Sequence, residues 1–316
     1  SNESEIEDVK KNLLIKLFSE YSVDSYIFWY YTPMSLNFTQ GFSPALVVFD
    51  CMDELSAFKF APASLKQNEE QLLQISDLVF TGGESLYRAK KDRHHSIYSF
   101  PSSIDKSHFE AARSIKHDPI DQQNIPHPRL GFYGVIDERF DIELLRNVSA
   151  LRPDWHFVLI GPVVKIDPAV LPQSQNVYFL GGKSYQELPG YLAGWDIALI
   201  PFALNESTKF ISPTKTPEYL SAGKPVISSS IQDVVSPYAE LGLVHIADTS
   251  EDFIKAAEYE LGHSDRIKWL EKVDQFLADI SWDKTWHQML QLINNKLVAK
   301  RDSTLYNLNS KETIYV

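Results

Sequence analysis

Residues 212–227 read SPTKTPEYLSAGKPVI and contain the start and the end of a short helix, followed by a strand. Ser or Thr followed by Pro is a helix-start signal, so the helix begins at Ser212-Pro213 or at Thr216-Pro217. Gly223 suits the position just past the helix C-terminus. Residues 226–229, which read VISS, are then predicted to form a strand. A helix leading into such a strand is typical of a parallel α/β sheet.

Lys215 and Glu218 make the start of this helix a candidate ligand site. If the helix begins at Pro213, they are spaced i, i+3 and share a face. The N–H groups of the helix N-terminus, the hydroxyls of Ser212 and Thr214, and the Lys215 ammonium can together bind a diphosphate. Glu218 can accept hydrogen bonds from two vicinal hydroxyls, such as those of a ribose. A capped helix with a surface Lys–Glu pair is an equally good interpretation.

Apolar segments of strand length alternate with helical patterns along the rest of the chain. Both halves are therefore predicted to be α/β, each with a parallel sheet covered on both faces. The strands predicted in the second half are residues 130–133, 156–160, 177–180, 196–202 and 226–229. Those predicted in the first half are residues 25–30, 45–50, 78–81 and 96–100.

A polar, irregular segment with no apolar period separates the two halves. It predicts a linker over residues 111–127, between an N-terminal domain of residues 1–110 and a C-terminal domain of residues 128–280. Residues 281–316 are predicted to form a C-terminal helix over about residues 282–298, which can pack back on the N-terminal domain, and then a tail over residues 300–316.

The net charge of the chain limits the kinds of molecule that it can bind as its main partner. The 316 residues include 42 acidic and 30 basic side chains, for a net charge of −12. This argues against nucleic acid or an anionic membrane as the main partner, because both require a basic surface. No run approaches the ~20 apolar residues that cross a bilayer, and no signal-peptide pattern is present. We expect a cytoplasmic protein, for which peripheral contact with the inner face of the membrane stays open.

Several loops that follow predicted strands contain glycine. Gly134, Gly161, Gly181 and Gly182 all stand at such positions, where ligands bind in parallel sheets. Taken one at a time, these glycines are better explained by tight turns. None of them forms a G-x-G-x-x-G or Walker motif, so a nicotinamide or P-loop enzyme has no support.

The segment at residues 212–227 resembles the nucleotide-sugar signature of GT-B glycosyltransferases, in particular the retaining family 4, where many bacterial members read SPxKxxEYLAAGKPVV. PRLGFYGVIDERFDIELL, WHFVLIGP and NVYFLGGKSYQELPGYLAGWDIALIPF resemble other parts of its C-terminal domain. VVFDCMDEL, SDLVFTGGESL and YSFPSSIDKSHF resemble strand ends of its N-terminal acceptor domain. The resemblance implies two Rossmann-like domains whose parallel sheets face an interdomain cleft. Because the family usually has more N-terminal strands, that domain is expected to be shortened.

The resemblance implies roles for residues that would bind the donor. Glu218 matches the glutamate that binds the ribose hydroxyls. Thr214 and Lys215 match positions close to the donor diphosphate. Gly134 and Val135 match the loop that meets the phosphates.

Further residues match more loosely. Gly182, Lys183 and Ser184 fall where the nucleotide base is held, largely by backbone groups, and Arg139 is the remaining basic residue after the first C-terminal strand. Asp53 and Glu54 follow a strand of the acceptor domain and are candidates for the acceptor hydroxyl, although solvated loop carboxylates explain them equally well. With Lys215 they are the predicted catalytic residues. Trp29, Tyr30 and Tyr31 can stack on a sugar, but packing in a core is the favoured interpretation.

Departures from the family pattern concern the catalytic groups. Phe210 stands eight residues before Glu218, where the family frequently has a glutamate. The sequence has no D-x-D motif for a metal, and we expect neither a metal nor a cofactor. The resemblance implies retention of anomeric configuration, with Lys215 and the helix start stabilising charge on the leaving diphosphate.

We therefore predict a glycosyltransferase that moves a sugar from a UDP-, GDP- or dTDP-sugar to a glycan or lipid-linked acceptor, in the biosynthesis of a bacterial surface polysaccharide. A nucleotide-sugar epimerase of the same fold is one alternative. A non-catalytic nucleotide-sugar-binding protein is another, suggested by Phe210 and by the small number of basic residues near the phosphates.

Overall fold

The computed structural model describes residues 3–263 and 266–312. The chain divides into two compact units. The first unit comprises the chain up to Pro101 together with the chain from Thr285, and the second unit comprises Ser102–Lys284. Each unit contains one parallel sheet, with four strands in the first and six in the second. The prediction of an α/β protein with two parallel sheets is confirmed.

The sheet of the first unit has the strand order β1-β2-β3-β4. Its strands are β1 (Ile27–Tyr30), β2 (Leu46–Cys51), β3 (Leu78–Thr81) and β4 (Ile97–Ser99). The helices in this part of the chain are α1 (Glu3–Glu20), α2 (Leu36–Thr39), α3 (Leu65–Ile75) and α4 (Glu84–Lys90). Every residue of β2 and β3 is buried, which explains why these strands read as continuous apolar runs.

The second unit contains helix α5 (Lys106–Glu110) and a sheet of order β10-β9-β8-β5-β6-β7. Its strands are β5 (Arg129–Tyr133), β6 (His156–Ile160), β7 (Val177–Phe179), β8 (Ile197–Ile200), β9 (Val226–Ser228) and β10 (His245–Ile246). Its remaining helices are α6 (Ile142–Leu151), α7 (Leu188–Ala193), α8 (Lys215–Ser221), α9 (Gln232–Val234), α10 (Ser250–Gly262) and α11 (Ile267–Leu277). The strand order reverses between β5 and β8, and ligands bind at the carboxyl ends of strands at such a switch point.

The last helix, α12 (Trp282–Glu312), packs on the sheet of the first unit. Ile293 is buried there among residues of β2 and β3. The helix continues through residues 300–312, which were predicted to be a tail. This stretch contains no Gly or Pro to end a helix, and Lys300 forms an ion pair with Asp77 at 2.7 Å. Residues 313–316 of the predicted tail lie outside the described residues.

The structure places the predicted linker, residues 111–127, within the second unit. Gln122 is fully buried: its amide donates to the Tyr191 carbonyl at 3.1 Å and accepts from the Trp195 indole at 2.9 Å. Asp118 forms an ion pair with Arg129 at 2.7 Å. The polar side chains that suggest a linker thus form hydrogen bonds and an ion pair with buried polar groups. The boundary between the two units falls earlier, at residues 101–102.

Candidate functional site

Helix α8 begins at Lys215, between the two helix starts predicted from sequence. Pro217 lies in its first turn, where a backbone N–H would have no partner within the helix, so the proline is tolerated there. Gly223 has φ +73° just past the helix, and the next amide, of Lys224, donates to the Tyr219 carbonyl at 3.0 Å. Lys215 and Glu218 thus lie on one helix at the carboxyl edge of the sheet.

The Lys215 side chain lies directly over Gly134, the residue that follows β5. A Cβ at Gly134 would stand 2.5 Å from Cε and 2.9 Å from Nζ of the lysine, and Gly134 has φ +142°. Nζ also lies 5.7 Å from the ring centroids of both Phe132 and Phe202. The absence of a side chain at Gly134 therefore makes room for the ammonium at the switch point.

The charge of Lys215 is incompletely compensated. Burial lowers its pKa, Glu218 acts in the opposite direction, and the positive charge of Arg139 adds to the lowering. No carboxylate forms an ion pair with this ammonium in the part of the chain that the structure describes. A half-buried cation in this position is suited to an anionic ligand.

Glu218 is paired with a tyrosine from the neighbouring strand. The hydroxyl of buried Tyr133 donates to Oε2 of Glu218 at 2.5 Å, and the Tyr133 amide donates to the Tyr219 hydroxyl at 3.0 Å. Burial raises the pKa of Glu218, opposed by the Tyr133 hydrogen bond and by Lys215. Among described residues, no group donates to the other carboxylate oxygen, Oε1. Tyr133 thus orients Glu218 and leaves one oxygen available to a ligand.

The loop after β5 offers one backbone donor from the two residues predicted there. The Gly134 amide donates to the Ile160 carbonyl at 2.8 Å and is therefore occupied. The amide of exposed Val135 has no acceptor among residues 3–263 and 266–312. Arg139 is held by the buried carboxylate of Asp137, with Nη2 and Oδ2 at 2.7 Å.

The two hydroxyl residues before α8 differ in their surroundings. Ser212 is half-buried, and its carbonyl accepts a hydrogen bond from the Ser102 hydroxyl at 3.0 Å. Thr214 is exposed, and its side chain does not cap the helix. The Thr214 hydroxyl is therefore accessible to a ligand at the helix start.

The loop after β7 contains the residues predicted to hold a nucleotide base. A Cβ at Gly182 would meet nothing within 4 Å, so its backbone faces open space. The Lys183 ammonium binds the Asp121 carboxylate at 2.6 Å. The amide and the hydroxyl of Ser184 both donate to Oε2 of Glu187, at 2.8 and 2.6 Å. The side chains of Lys183 and Ser184 are thus engaged in the fold, which leaves backbone groups for ligand contacts.

His108 lies at the same site and was missed by sequence reasoning. Its ring stacks on Tyr185 with centroids 4.3 Å apart and planes 10° apart, and its Nε2 lies 2.9 Å from the Tyr185 carbonyl oxygen. Both rings interact electrostatically with Glu218. His108 is on the short helix α5, and no local motif distinguishes it from an ordinary surface histidine.

An open cavity of about 310 Å³ lies between the loops that follow β8 and β9. Asn205, Glu206, Thr208 and Lys209 line one side, and Gln232 lies on the other. Phe210, which occupies the place of a family glutamate, follows this group directly and lies 5.3 Å from the Lys209 ammonium. The cavity is lined by polar groups of both charges.

The acceptor-side candidates Asp53 and Glu54 follow β2 in the first unit. Glu54 accepts hydrogen bonds from the Lys90 ammonium at 2.7 Å and from the Ser56 hydroxyl at 2.6 Å. Burial acts to raise the pKa of Glu54, but these two bonds together with the positive charges of Lys90 and Arg93 outweigh it and lower the pKa. Lys90 is itself buried and also binds Glu69 at 2.6 Å. Glu54 is therefore an ionised member of a buried ion-pair network.

The two parallel sheets and the site at the switch point define the class of protein as GT-B. The sequence model of the family Glycosyl transferases group 1 matches residues 127–263. A protein from Bacillus subtilis (strain 168), described as the teichuronic acid biosynthesis glycosyltransferase TuaH, is 22% identical over 280 residues, which are 83% of this chain and 70% of the relative. The chain is a glycosyltransferase, and its resemblance to the group 1 enzymes is confirmed.

Solved structures share the fold. Sucrose-phosphate synthase from Thermosynechococcus elongatus superposes with a TM-score of 0.70 at 16% identity, covering 94% of this chain and 80% of that one. HepE from Anabaena in complex with UDP gives a TM-score of 0.67 at 13% identity, covering 90% of this chain and 82% of that one.

No helix in the described ranges is long and apolar enough to span a membrane.

Proposed function

We propose that the protein transfers a sugar, with retention of configuration and without a metal, from a UDP-sugar to a glycan or lipid-linked acceptor. The observation that carries this proposal is the half-buried Lys215 ammonium, which has no ion-pair partner among the described residues and lies on the same helix as Glu218. A diphosphate would compensate the ammonium, and the ribose of the same ligand would reach Glu218. The UDP bound to HepE supports uracil as the base.

Different residues are proposed to bind the diphosphate, the ribose, the base and the sugar of the donor. The diphosphate binds Lys215, the Thr214 hydroxyl and the Val135 amide. The ribose hydroxyls donate to Oε1 of Glu218, whose orientation Tyr133 fixes. The base contacts the backbone at Gly182, beside the stacked rings of His108 and Tyr185. The sugar lies in the cavity lined by Asn205 and Thr208.

The proposed chemistry follows from the charge that develops during transfer. Cleavage of the sugar–phosphate bond builds positive charge on the sugar and negative charge on the departing UDP. The Lys215 ammonium, already in place before the reaction, stabilises the departing charge. Arg139 adds to the positive potential, although Asp137 compensates much of its charge. The acceptor hydroxyl attacks from the face that UDP leaves and passes its proton to the departing phosphate oxygen, so the glycosidic bond forms with retention.

The relative TuaH, described as a teichuronic acid biosynthesis glycosyltransferase, supports the proposed role in the biosynthesis of a bacterial polysaccharide. A non-catalytic UDP-sugar-binding protein is the second candidate, because Phe210 replaces a family glutamate and Arg139 is tied to Asp137. Release of UDP from UDP-glucose and related donors, measured with and without glycan acceptors, separates the two. Tight UDP binding with no release from any donor would favour the binding protein.

Replacement of Glu218 tests the ribose contact. In Glu218→Gln we expect the affinity for UDP to fall by about 2 kcal/mol, or about thirtyfold, because a charged acceptor of two hydroxyl groups is lost. Isothermal titration with UDP and with 2′,3′-dideoxy-UDP measures this. The wild type should discriminate between the two ligands, and the variant should not.

The matched control is Glu251→Gln, an exposed glutamate of α10. It should bind both ligands as the wild type does. Equal loss of affinity for UDP and for the dideoxy analogue in Glu218→Gln would show that Glu218 acts elsewhere than on the ribose.

Replacement of Gly134 tests the position of the ammonium. A Cβ in Gly134→Ala would displace the end of the Lys215 side chain. We expect the affinity for UDP to fall by about tenfold, since a charge-assisted bond to phosphate is worth about 1.5 kcal/mol or more. Binding is measured by titration at two salt concentrations, because the lost contact is electrostatic.

Gly262→Ala is the matched control, since a Cβ there meets nothing within 4 Å. The positive φ of Gly134 also predicts a stability loss of about 1 kcal/mol or more in Gly134→Ala. A variant that is destabilised in this way but binds UDP normally would contradict the proposed role of Lys215.

A further inference from the structure

Asp50, near the end of β2 in the first unit, is a buried carboxylate that no predicted role uses. Its residue is 4% exposed, and its Oδ2 accepts a hydrogen bond from the Trp29 indole at 3.0 Å. Within residues 3–263 and 266–312, no group donates to the other oxygen, Oδ1. Burial raises the pKa of Asp50 to about 6, despite the Trp29 hydrogen bond. A carboxylate held in this way is costly unless a ligand completes its hydrogen bonds.

Aromatic rings surround this carboxylate. Trp29 lies 6.3 Å from Tyr31 and 6.0 Å from Trp286, measured between ring centroids. Behind it, Phe80 lies 5.6 Å away and closes the core side. Tyr31 is 62% exposed and Trp286 is 48% exposed. The group thus has a buried side, on which Trp29 is fixed, and an open side made of two large rings.

The topology brings these residues together at the carboxyl edge of the sheet. Trp29 pairs with Val48 in the β1–β2 ladder, so Trp29, Val48 and Asp50 share one face. Helix α12 covers that face farther back, where Ile293 packs in the core. The cover ends near Trp286, and the aromatic group therefore remains open at the edge where ligands of parallel sheets bind.

We propose that Asp50, Trp29, Tyr31 and Trp286 form a subsite for a neutral pyranose ring of the acceptor. The flat C–H face of the sugar stacks on the exposed rings, and a ring hydroxyl donates to Oδ1 of Asp50. This inference rests on the proposed function, because it takes the acceptor to be a glycan. Aromatic surface with one precisely oriented polar group is the usual composition of a small-molecule site.

The charge at the subsite selects among ligands that could stack. A nucleotide or a lipid phosphate would bring its negative charge next to Asp50, which is repulsive at short range. A sugar with free hydroxyls and no charge is not repelled by Asp50. A uronic acid should therefore bind more weakly than its neutral counterpart.

The test uses saturation-transfer NMR on the full chain with methyl β-glucopyranoside, methyl N-acetyl-β-glucosaminide and methyl β-glucuronide as probes. We expect saturation of the ring C–H protons of the two neutral glycosides and a weaker signal from the glucuronide. Tyr31→Ala and Trp286→Ala should weaken neutral glycoside binding about three- to tenfold, the contribution of an aromatic contact. In Asp50→Asn the discrimination against glucuronide should disappear.

The control is Tyr21→Ala, since Tyr21 is an equally exposed tyrosine of the first unit, at 69%. It should leave glycoside binding unchanged. Because Tyr31 is largely exposed, its variant should fold normally. Absence of saturation for all three probes, or equal signals in Tyr31→Ala and Tyr21→Ala, would overturn the subsite.

Thermal shift with UDP on the same samples separates this inference from the proposed function. If UDP binds and no glycoside does, the subsite is wrong and the donor site stands. If glycosides bind in a Tyr31-dependent manner and UDP does not, the subsite stands and the proposed donor is wrong. Tyr31→Ala should retain the UDP shift of the wild type.

Discussion

Lys215→Met is expected to lower kcat/KM for sugar transfer by about 10²–10³, the effect of removing one group that stabilises developing charge. The ammonium lies over Gly134 at the switch point and forms no ion pair within the described ranges. Methionine has a similar length and removes only the charge, so the site should keep its shape. Because charge on UDP grows during bond cleavage, most of the loss should be in kcat.

Steady-state kinetics with a UDP-sugar, after donor and acceptor have been identified, measures this effect. Lys255→Met is the matched control, because Lys255 is an exposed lysine of the second unit. It should have wild-type kinetics. A Lys215→Met enzyme whose KM rises while kcat stays constant would assign the lysine to ground-state binding alone.

Asp50→Asn is expected to stabilise the protein at pH 7.5 by up to about 3 kcal/mol, because a pKa raised from 3.8 to about 6 corresponds to that penalty for the buried charge. Asparagine can still accept the Trp29 hydrogen bond. The sign of the pH dependence follows from the direction of the shift. The native state keeps its proton up to about pH 6, whereas the unfolded chain loses it near 3.8. The contribution of Asp50 to the stability of the wild type therefore decreases as the pH rises from 3.8 to about 6.

The advantage of Asp50→Asn should accordingly shrink as the pH approaches 4. Urea unfolding at several pH values, followed by tryptophan fluorescence, gives the two free energies of unfolding. Asp24→Asn changes the charge equally at an exposed position of the first unit and should shift stability little at any pH. A neutral or destabilising Asp50→Asn at pH 7.5 would mean that the carboxylate is well accommodated. A stabilising one is typical of a residue kept for function.

The architecture is largely predictable from sequence, because the buried strands of parallel sheets are apolar throughout. β3 and β6 were predicted with the observed bounds, and the bounds of the other predicted strands differ from the observed ones by at most two residues at either end. β10 was missed, since two residues present no pattern. The segment at residues 111–127 was misinterpreted because buried polar side chains such as Gln122 look like a surface segment until their partners are known.

The candidate site is predictable only in its local part. Lys215 and Glu218 are three residues apart, so their shared helix can be inferred from spacing. The partner of Glu218, Tyr133, is 85 residues away in sequence, and the His108–Tyr185 contact spans 77 residues. Contacts of this range depend on the sheet order, which local patterns do not contain.

The buried position of Asp50 also could not be predicted from local sequence. In sequence it stands at the end of an apolar run, where a carboxylate suggests the start of a solvated loop. The structure encloses it beside Trp29, and this enclosure depends on both the β1–β2 register and on α12 from the other end of the chain. Asp53 and Glu54 were the sequence candidates because they follow the strand of the acceptor domain, yet Glu54 is committed to Lys90.

The site offers backbone groups to a ligand at Val135, whose amide is free within the described residues, and at Gly182, whose backbone is open. Such contacts can persist while the sequence changes. A ligand held by main-chain groups requires a particular path of the loop and places little demand on the side chains along it. Chains that differ at most positions can then present the same donors, as long as the strand ends stay in register. Contacts of this kind would therefore tolerate sequence divergence as large as the 13–16% identity at which the fold itself is shared.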